Sequence, residues 1–436
     1  MRWMNFKIEG GRKLTGTVTT NTAKNSVVAL MATALLNRGQ TTLENVPKVE
    51  DVNRLIELLI SLGVKVIRQG NNLTIRPPAK INFKNADKEA AASTRSSLLL
   101  LGALSGWSRA FLFPKPGGCR LGDRTIAPHL FALETLGIKI GGRGDVFEIK
   151  VSEPRSRREV VLYEMSDTAT INALLVAASR SSETVIKFAA TNYMVQDACD
   201  LLEKLGVAIG GIGSSTLIIN GVEKINQVIN YPVGEDPVEA MFFLALAATT
   251  GSHLTIKRAP IDFLELELLK LAKMGFKYKI IARYQATNGK TKLVDIETKP
   301  SNLKALEDKI HPLPYPGINI DNLPFFVPIA TQAKGKTLIH DWVYDGRAIY
   351  YMELAKLGAD IVLADPHRVF IEGQTKLRGA EIICPAALRP AAIILIAMLA
   401  AKGPSILRNI YSISRGYENL VTRLKKLGAK IELLTE

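Results

Sequence analysis

Six times along the chain an amphipathic segment ends in Leu-x-x-Leu-Gly, once as Leu-x-x-Met-Gly, and gives way to a short alternating stretch. The closing glycines are Gly63, Gly137, Gly206, Gly275, Gly358 and Gly428, separated by 74, 69, 69, 83 and 70 residues. A glycine at that place suits a left-handed helix C-cap, where any side chain would be strained. The following residues, such as Val64-Lys-Val66 and Ala429-Lys-Ile431, alternate with the period of a strand. Each copy is therefore a joint from helix to strand, and the chain is a six-fold repeat.

A second phrase precedes every joint: a nearly all-apolar helix, a turn and a strand. The apolar runs begin near Ser26, Ser97, Ile171, Ala240, Phe325 and Ala391. A helix apolar on all sides has to be buried. Strands rich in β-branched residues follow, among them Thr41–Asn45, Thr184–Phe188 and Lys336–His340. One such unit of about 70 residues cannot cover its own buried helix, so several must share a core. Six copies divide into two groups of three. This predicts an α/β protein of two domains, residues 23–232 and residues 1–22 with 233–436, the chain crossing between them near Thr22 and near Tyr231–Gly234. With 436 residues, 47% of them hydrophobic, the chain has enough apolar mass for two such cores.

The net charge of +15 points to anionic partners. The basic residues are spread along predicted helix faces, and aromatics make up only 6% of the chain, so no stacking platform for nucleic acid is evident. The longest apolar run, Pro390 to Ala401, is too short to span a bilayer, and the first residues have no signal-like apolar core. Three cysteines are too few for a disulfide framework and fit a reducing, cytoplasmic setting. The five histidines show no ligand spacing, so no metal is expected; nor is a cofactor expected. The oligomeric state is left open, a monomer being compatible with everything above.

Chemistry concentrates at equivalent places in the repeats. Just before the buried helices stand Lys24-Asn25, Arg95-Ser96, Ser166-Asp167-Thr168, Asp236 with Glu239, Asp321-Asn322 and Arg389. Ser166 and Asp236 have an ordinary explanation as helix caps. Lys24, Arg95 and Arg389 do not, because a cation at the positive end of a helix is unfavourable unless an anion accompanies it. One loop, Pro114-Lys-Pro-Gly-Gly-Cys-Arg-Leu-Gly-Asp-Arg124, stands apart. Its prolines and glycines exclude regular structure before Cys119, and Lys115, Arg120 and Arg124 favour the thiolate. Cys199 and Cys384 lie in apolar surroundings and are expected to be buried; His129 reads as a loop residue near the site.

The segments Ala23-Lys24-Asn25-Ser26, Thr94-Arg95-Ser96-Ser97, Pro116-Gly-Gly-Cys-Arg-Leu-Gly-Asp-Arg124, Pro314-Tyr-Pro-Gly-Ile-Asn-Ile-Asp321, Leu388-Arg389 and Ser414-Arg-Gly-Tyr-Glu418 closely resemble the enolpyruvyl transferase family. The Pro-Gly-Gly-Cys loop is similar to that of its aminosugar branch, the UDP-N-acetylglucosamine 1-carboxyvinyltransferases. The resemblance covers nearly the whole chain. It implies an inside-out α/β barrel of two domains, three repeats in each, closing on a cleft, with the Cys119 loop acting as a lid. It further implies transfer of the enolpyruvyl group of phosphoenolpyruvate to a nucleotide sugar, with Cys119 as acid, Asp321 as base and Lys24 completing the catalytic set. Substrate binding would fall to Lys24, Asn25, Arg95, Arg124, Ser166, Asp321, Val343, Arg389 and Arg415.

The chain also departs from the family's pattern. Ala-Ala-Arg-Glu-Pro-Glu becomes Ala189-Ala-Thr-Asn-Tyr-Met194, and Thr-Asp-Leu-Arg becomes Ala386-Ala-Leu-Arg389. Ser-Val-Gly-Ala-Thr becomes Ser166-Asp-Thr-Ala-Thr170, and Arg-Pro-Val-Asp-Leu becomes Arg124-Thr-Ile-Ala-Pro128. The phosphoenolpyruvate residues are mostly kept and the nucleotide-sugar residues are altered. Transfer to UDP-N-acetylglucosamine is the leading expectation; the alternatives are transfer to another acceptor and a non-catalytic relative.

Overall fold

A computed structural model describes residues 4–117, 125–152 and 158–435. Cys119, Arg120 and Arg124 lie outside the described residues. The chain divides into two compact units, which among the described residues are 4–21 with 235–435, and 22–117 with 125–234.

The helix-to-strand joints form as their glycines require. Gly63, Gly137, Gly206, Gly275, Gly358 and Gly428 all have φ between +82° and +93°. At each, the helix ends in a left-handed residue and the chain turns into a strand.

In the unit of residues 22–117 and 125–234, three sheets surround three buried helical segments. The first sheet has strand order Val228–Pro232, Gln40–Glu44, Asn72–Arg76, Lys65–Gln69. The second runs Ala110–Pro114, Val146–Val151, Ile138–Arg143, and the third Ala208–Gly210, Thr216–Asn220, Glu183–Lys187, Arg158–Val161. Val228–Pro232 pairs in parallel with Gln40–Glu44, Tyr231 opposite Leu43, so the end of this unit closes the sheet of its first repeat. The helices Lys24–Ala34 and Asp167–Ala178 are almost wholly buried. The amphipathic helix Tyr193–Lys204 packs on both of them, and Ala127–Thr135 packs on the second. The third segment departs from a simple helix: Arg95–Leu99 is a 3-10 run that continues as the short α-helix Leu100–Leu104. Here Gly102 lies so close to Asn172 that a Cβ would meet its carbonyl oxygen at 2.5 Å.

In the other unit the sheets are Glu381–Ile383, Gly403–Arg408, Met4–Gly10, Lys430–Thr435; Lys277–Gln285, Lys292–Lys299, His253–Pro260, Thr15–Thr19; and Gly335–His340, Arg368–Gly373, Asp360–Asp365. Met4–Gly10 lies between two late strands, Phe6 opposite both Leu407 and Leu433. The helices Pro237–Thr250 and Leu388–Ala400 pack on each other and on the short helix Phe326–Ala330. Pro328 shortens the last of these, since it lacks the N–H that would continue the ladder. Phe242, Phe243, Phe325 and Phe326 are fully buried, and the Phe242 ring meets Phe243 and Phe325 edge-on. The amphipathic segment of this repeat, Arg347–Leu357, is a 3-10 helix. Among the described residues no helix is long and apolar enough to cross a membrane.

Candidate active site

The buried helices place their first turns, and with them most of the residues singled out by sequence, at defined positions inside each unit. In the unit holding residues 235–435, the starts of all three buried segments converge. Arg389, on the first turn of Leu388–Ala400, donates from Nη2 to Asp321 Oδ2 at 3.2 Å and from Nη1 to the Tyr417 hydroxyl at 3.1 Å. Arg389 is 8% exposed and Asp321 23%. Asp236 caps the Pro237–Thr250 helix, its Oδ1 accepting from the Val238 and Glu239 N–H groups at 2.8 and 3.3 Å. Burial pushes the Asp236 carboxyl up to about 6 against the opposing pull of Arg389, and Glu239 adds to the rise. Glu239 is itself held by Arg423 in a fork at 2.5 and 3.0 Å and accepts from the Asn21 N–H at 2.6 Å.

Arg389 thus lies between two carboxylates. The anion that a cation at a helix start calls for is supplied here by the protein itself. The same holds for Lys24: its Nζ pairs with Asp51 at 2.8 Å, with side chains 13% and 7% exposed. Arg95 donates to the Thr125 carbonyl at 2.7 Å. Their position before buried helices did not by itself reveal these partners. Asp51 stands in the first turn of the amphipathic helix Glu50–Ser61, where an acid has its own local explanation.

Ser166 is a helix cap, accepting from the Ala169 N–H at 3.4 Å, so the ordinary explanation holds there as it does for Asp236. Asn25 donates to the Tyr193 hydroxyl at 3.2 Å, and Asn192 donates to Asp167 at 3.0 Å while its Oδ1 accepts from the Tyr193 N–H. The starts of Lys24–Ala34 and Asp167–Ala178 are therefore both tied to the start of Tyr193–Lys204. His129 requires a correction. It is buried in the first turn of the Ala127–Thr135 helix, which begins because Pro128 occupies an early position where no N–H is needed. Its Nδ1 meets Asn172 Nδ2 at 2.9 Å and its Nε2 meets Thr168 Oγ1 at 3.1 Å. Both Asn172 amide hydrogens go to acceptors, the Leu98 carbonyl and this ring nitrogen, so the neutral imidazole carries its proton on Nε2.

Val343 is exposed in the turn after Gly335–His340, and Arg415 is half-buried just past the short helix Tyr411–Ser414, two residues before Tyr417. The described stem of the cysteine loop is tightly seated. Gly117 donates to the Ala91 carbonyl at 3.3 Å, and a Cβ there would meet the Ala92 carbonyl oxygen at 1.7 Å. Cys199 and Cys384 are buried, the latter one residue past Glu381–Ile383; burial pushes both thiols up, Cys384 to about 11. Among the described residues no group of three or more His, Cys, Asp or Glu side chains is placed to hold a metal ion.

A deeper network was not singled out from sequence. Asp341, Arg347 and Tyr351 are fully buried together: Arg347 grips both Asp341 oxygens at 2.6 and 2.8 Å, and the Tyr351 hydroxyl donates to Oδ2 at 2.5 Å. The available signal was a charge four residues from a tyrosine on the repeat's amphipathic face. Glu267, also buried, accepts from the Asn319 N–H at 3.1 Å and from Asn322 Nδ2 at 2.8 Å.

Three-repeat units built on buried helices, with charged residues at the helix starts, define the class of the two-unit enolpyruvyl transferases. The enolpyruvyl transferase NikO from Streptomyces tendae shares this architecture with a TM-score of 0.85 at 22% identity over the full length of both chains. An EPSP synthase from Acinetobacter baumannii gives 0.74 at 20% identity, covering 99% of this chain and 100% of that one. Residues 8–432 match the family of EPSP synthase (3-phosphoshikimate 1-carboxyvinyltransferase), and the chain belongs to that family of enzymes. Among similar relatives, UDP-N-acetylglucosamine 1-carboxyvinyltransferase of Treponema denticola is 32% identical over 98% of this chain and 99% of its own length. The enzyme of that name from Bradyrhizobium diazoefficiens is 34% identical over 99% and 98%.

Proposed function

We propose that this chain transfers the enolpyruvyl group of phosphoenolpyruvate to the 3-hydroxyl of UDP-N-acetylglucosamine and releases inorganic phosphate. The observation that carries this reading is full-length kinship to carboxyvinyltransferases in a chain that pairs Asp321 with Arg389 at 3.2 Å and keeps Lys24 and Cys119 in their family motifs. In the addition step the acceptor oxygen bonds to C2 of phosphoenolpyruvate while the Cys119 thiol delivers a proton to the methylene carbon. Asp321 takes the proton of the acceptor hydroxyl, one of its oxygens being oriented by Arg389. Elimination then removes a proton from the new methyl group and expels phosphate, leaving the enol ether. Lys24, Arg124, Arg389 and Arg415 balance the phosphate and carboxylate charges, the arginines through paired N–H donors. Asn25, Arg95, Ser166 and Val343 complete the substrate contacts. The product would feed peptidoglycan precursor synthesis in the cytoplasm.

Transfer to a different acceptor is favoured by one observation, the Asp167 carboxylate held by Asn192 at the start of a buried helix, where a diphosphate would meet repulsion. Phosphate release from phosphoenolpyruvate, measured against a panel of nucleotide sugars, separates the readings. Release with UDP-N-acetylglucosamine as the best acceptor supports the first, and release only with another sugar supports the second. No release with any acceptor, at an enzyme concentration giving a clear signal with an active relative, would leave a non-catalytic member of the family.

A further inference from the structure

The turn that carries Asp321 is gripped by two buried charged side chains from different elements. Glu267 Oε1, on the helix Glu265–Lys273, accepts from the Asn319 N–H at 3.1 Å and from the Asn322 side chain at 2.8 Å. From a second element, the 3-10 helix Arg347–Leu357, Arg347 Nη2 donates to the carbonyl of Ile320 at 2.9 Å. Inside the turn, the Asp321 N–H donates to Asn319 Oδ1 at 2.9 Å, and the Asn322 and Leu323 N–H groups return to the Asn319 carbonyl at 2.8 and 3.1 Å. Residues 319, 320 and 322 are therefore each fixed to a charged side chain, and only Asp321 between them turns its carboxylate outward, to Arg389.

Both grips are themselves buried and hydrogen-bonded. Arg347 is fully buried and forked onto Asp341, which Tyr351 also holds, and the Nη2 that grips Asp341 Oδ1 is the one that donates to Ile320, so the ion pair sets the line of that bond. Glu267 is 2% exposed, and burial raises its carboxyl while the Asn322 and Asn319 donors oppose the rise. Burying two charges is costly, and apolar residues would hold a loop of this size at less expense. What charges supply and apolar contacts do not is direction: a carboxylate oxygen and a guanidinium fix an N–H and a carbonyl along defined lines.

We propose that Glu267 and Arg347 are positioning residues that hold the Asp321 carboxylate in register for proton transfer. The inference rests on the reading of Asp321 as the base. A displacement of about 1 Å at a catalytic group costs on the order of a hundredfold in rate, so loosening one grip should be visible in turnover rather than in substrate affinity.

The test is a double-mutant cycle on the full chain, read as phosphate release from phosphoenolpyruvate in single turnover with enzyme in excess. Glu267→Met removes the acceptor at similar volume and should lower the rate at least about tenfold, with half-saturation by phosphoenolpyruvate changed less than about twofold. Glu267→Gln keeps the acceptor oxygen and should restore the rate to within about threefold of the parent. On an Asp321→Asn background, Glu267→Met should cost less than about twofold more, because the residue acts through Asp321. Equal losses in both backgrounds, or a Gln variant as slow as the Met variant, overturn the proposal while leaving Asp321 as base. Parental turnover in Asp321→Asn instead rejects the base reading, and the proposal with it. If Glu267→Met does not fold, Arg347→Lys takes its place in the cycle: a single ammonium can stay paired with Asp341 but lacks the planar fork whose Nη2 reaches on to Ile320, and the same coupling is expected.

Discussion

Asp236 offers a direct measure of how strongly the start of the Pro237–Thr250 helix is tuned. Its carboxyl caps two N–H groups, yet burial raises it from the ordinary 3.8 to about 6 despite the nearby Arg389. A carboxyl raised on folding binds its proton more tightly in the folded chain. Its contribution is thus most favourable below about pH 4 and becomes a penalty as pH climbs through 6. The difference between 3.8 and about 6 corresponds to at most about 3 kcal/mol above pH 7, and relaxation brings an expected value nearer 2. Asp236→Asn keeps an Oδ1 acceptor for the cap and removes the charge, while Arg389 retains Asp321 and Tyr417. The variant should therefore be more stable than the parent at pH 8 and indistinguishable from it at pH 4. Thermal melts across that range read the difference, at roughly 2–4 °C per kcal/mol for a unit of this size. A variant less stable than the parent at pH 8, or displaced equally at both ends, would show that Arg389 makes the Asp236 charge an asset and would refute the reasoning.

Lys24→Ala should destabilise the unit of residues 22–117 and 125–234 by about 1–3 kcal/mol, because it removes an ion pair from the buried Asp51 carboxylate. Adding Asp51→Asn should recover most of the stability in denaturant titrations but none of the phosphoenolpyruvate affinity measured by calorimetry; recovery of both would assign Lys24 to folding alone. Maleimide labelling of the native chain at neutral pH should stop at one thiol, Cys119, since burial raises both Cys199 and Cys384. Modification of either at a comparable rate, located by peptide mapping, would contradict that assignment.

What was legible in the sequence was what repeats. The six glycines fix six joints because a left-handed C-cap excludes nearly every other residue, and six apolar runs fix the buried segments because nothing else covers them. The exact form of two of those segments was hidden. The Arg95–Leu104 segment starts as a 3-10 run and becomes α-helical only from Leu100, its Gly102 lying against Asn172, and Leu323–Ala330 likewise starts as a 3-10 turn before a short helix that contains Pro328. Both features depend on what lies across the core. The candidate site was legible as a set of helix starts, since polar residues recur before every buried helix. Its internal pairing was not, because Lys24 with Asp51, Asn25 with Tyr193 and Arg389 with Asp321 are separated by 27, 168 and 68 residues. Such pairs carry no local signal. The helix around His129 was masked by Pro128, which reads as a breaker in a list of residues and as a permitted first-turn residue in a helix.

The altered acceptor positions gain a different meaning from their geometry. Read singly, each replacement removes a group that the family's pattern supplies. In the folded chain two of them meet: Asn192, in the segment that replaces Arg-Glu-Pro-Glu, donates to Asp167, which replaces a valine. Its neighbour Tyr193 accepts from Asn25. An aspartate in the first turn of the Asp167–Ala178 helix is favourable by roughly 0.3–1 kcal/mol. The replacements therefore form a bonded set that satisfies the helix start from within the protein. A nucleotide diphosphate approaching that end would have to displace Asp167 or bring added positive charge, whereas an acceptor presenting hydroxyls or amides would find an acceptor oxygen already aligned by Asn192. Asp167→Val removes the carboxylate and should tighten UDP-N-acetylglucosamine binding if the bonded set opposes it. Unchanged calorimetric affinity would mean that the start of this helix takes no part in choosing the acceptor.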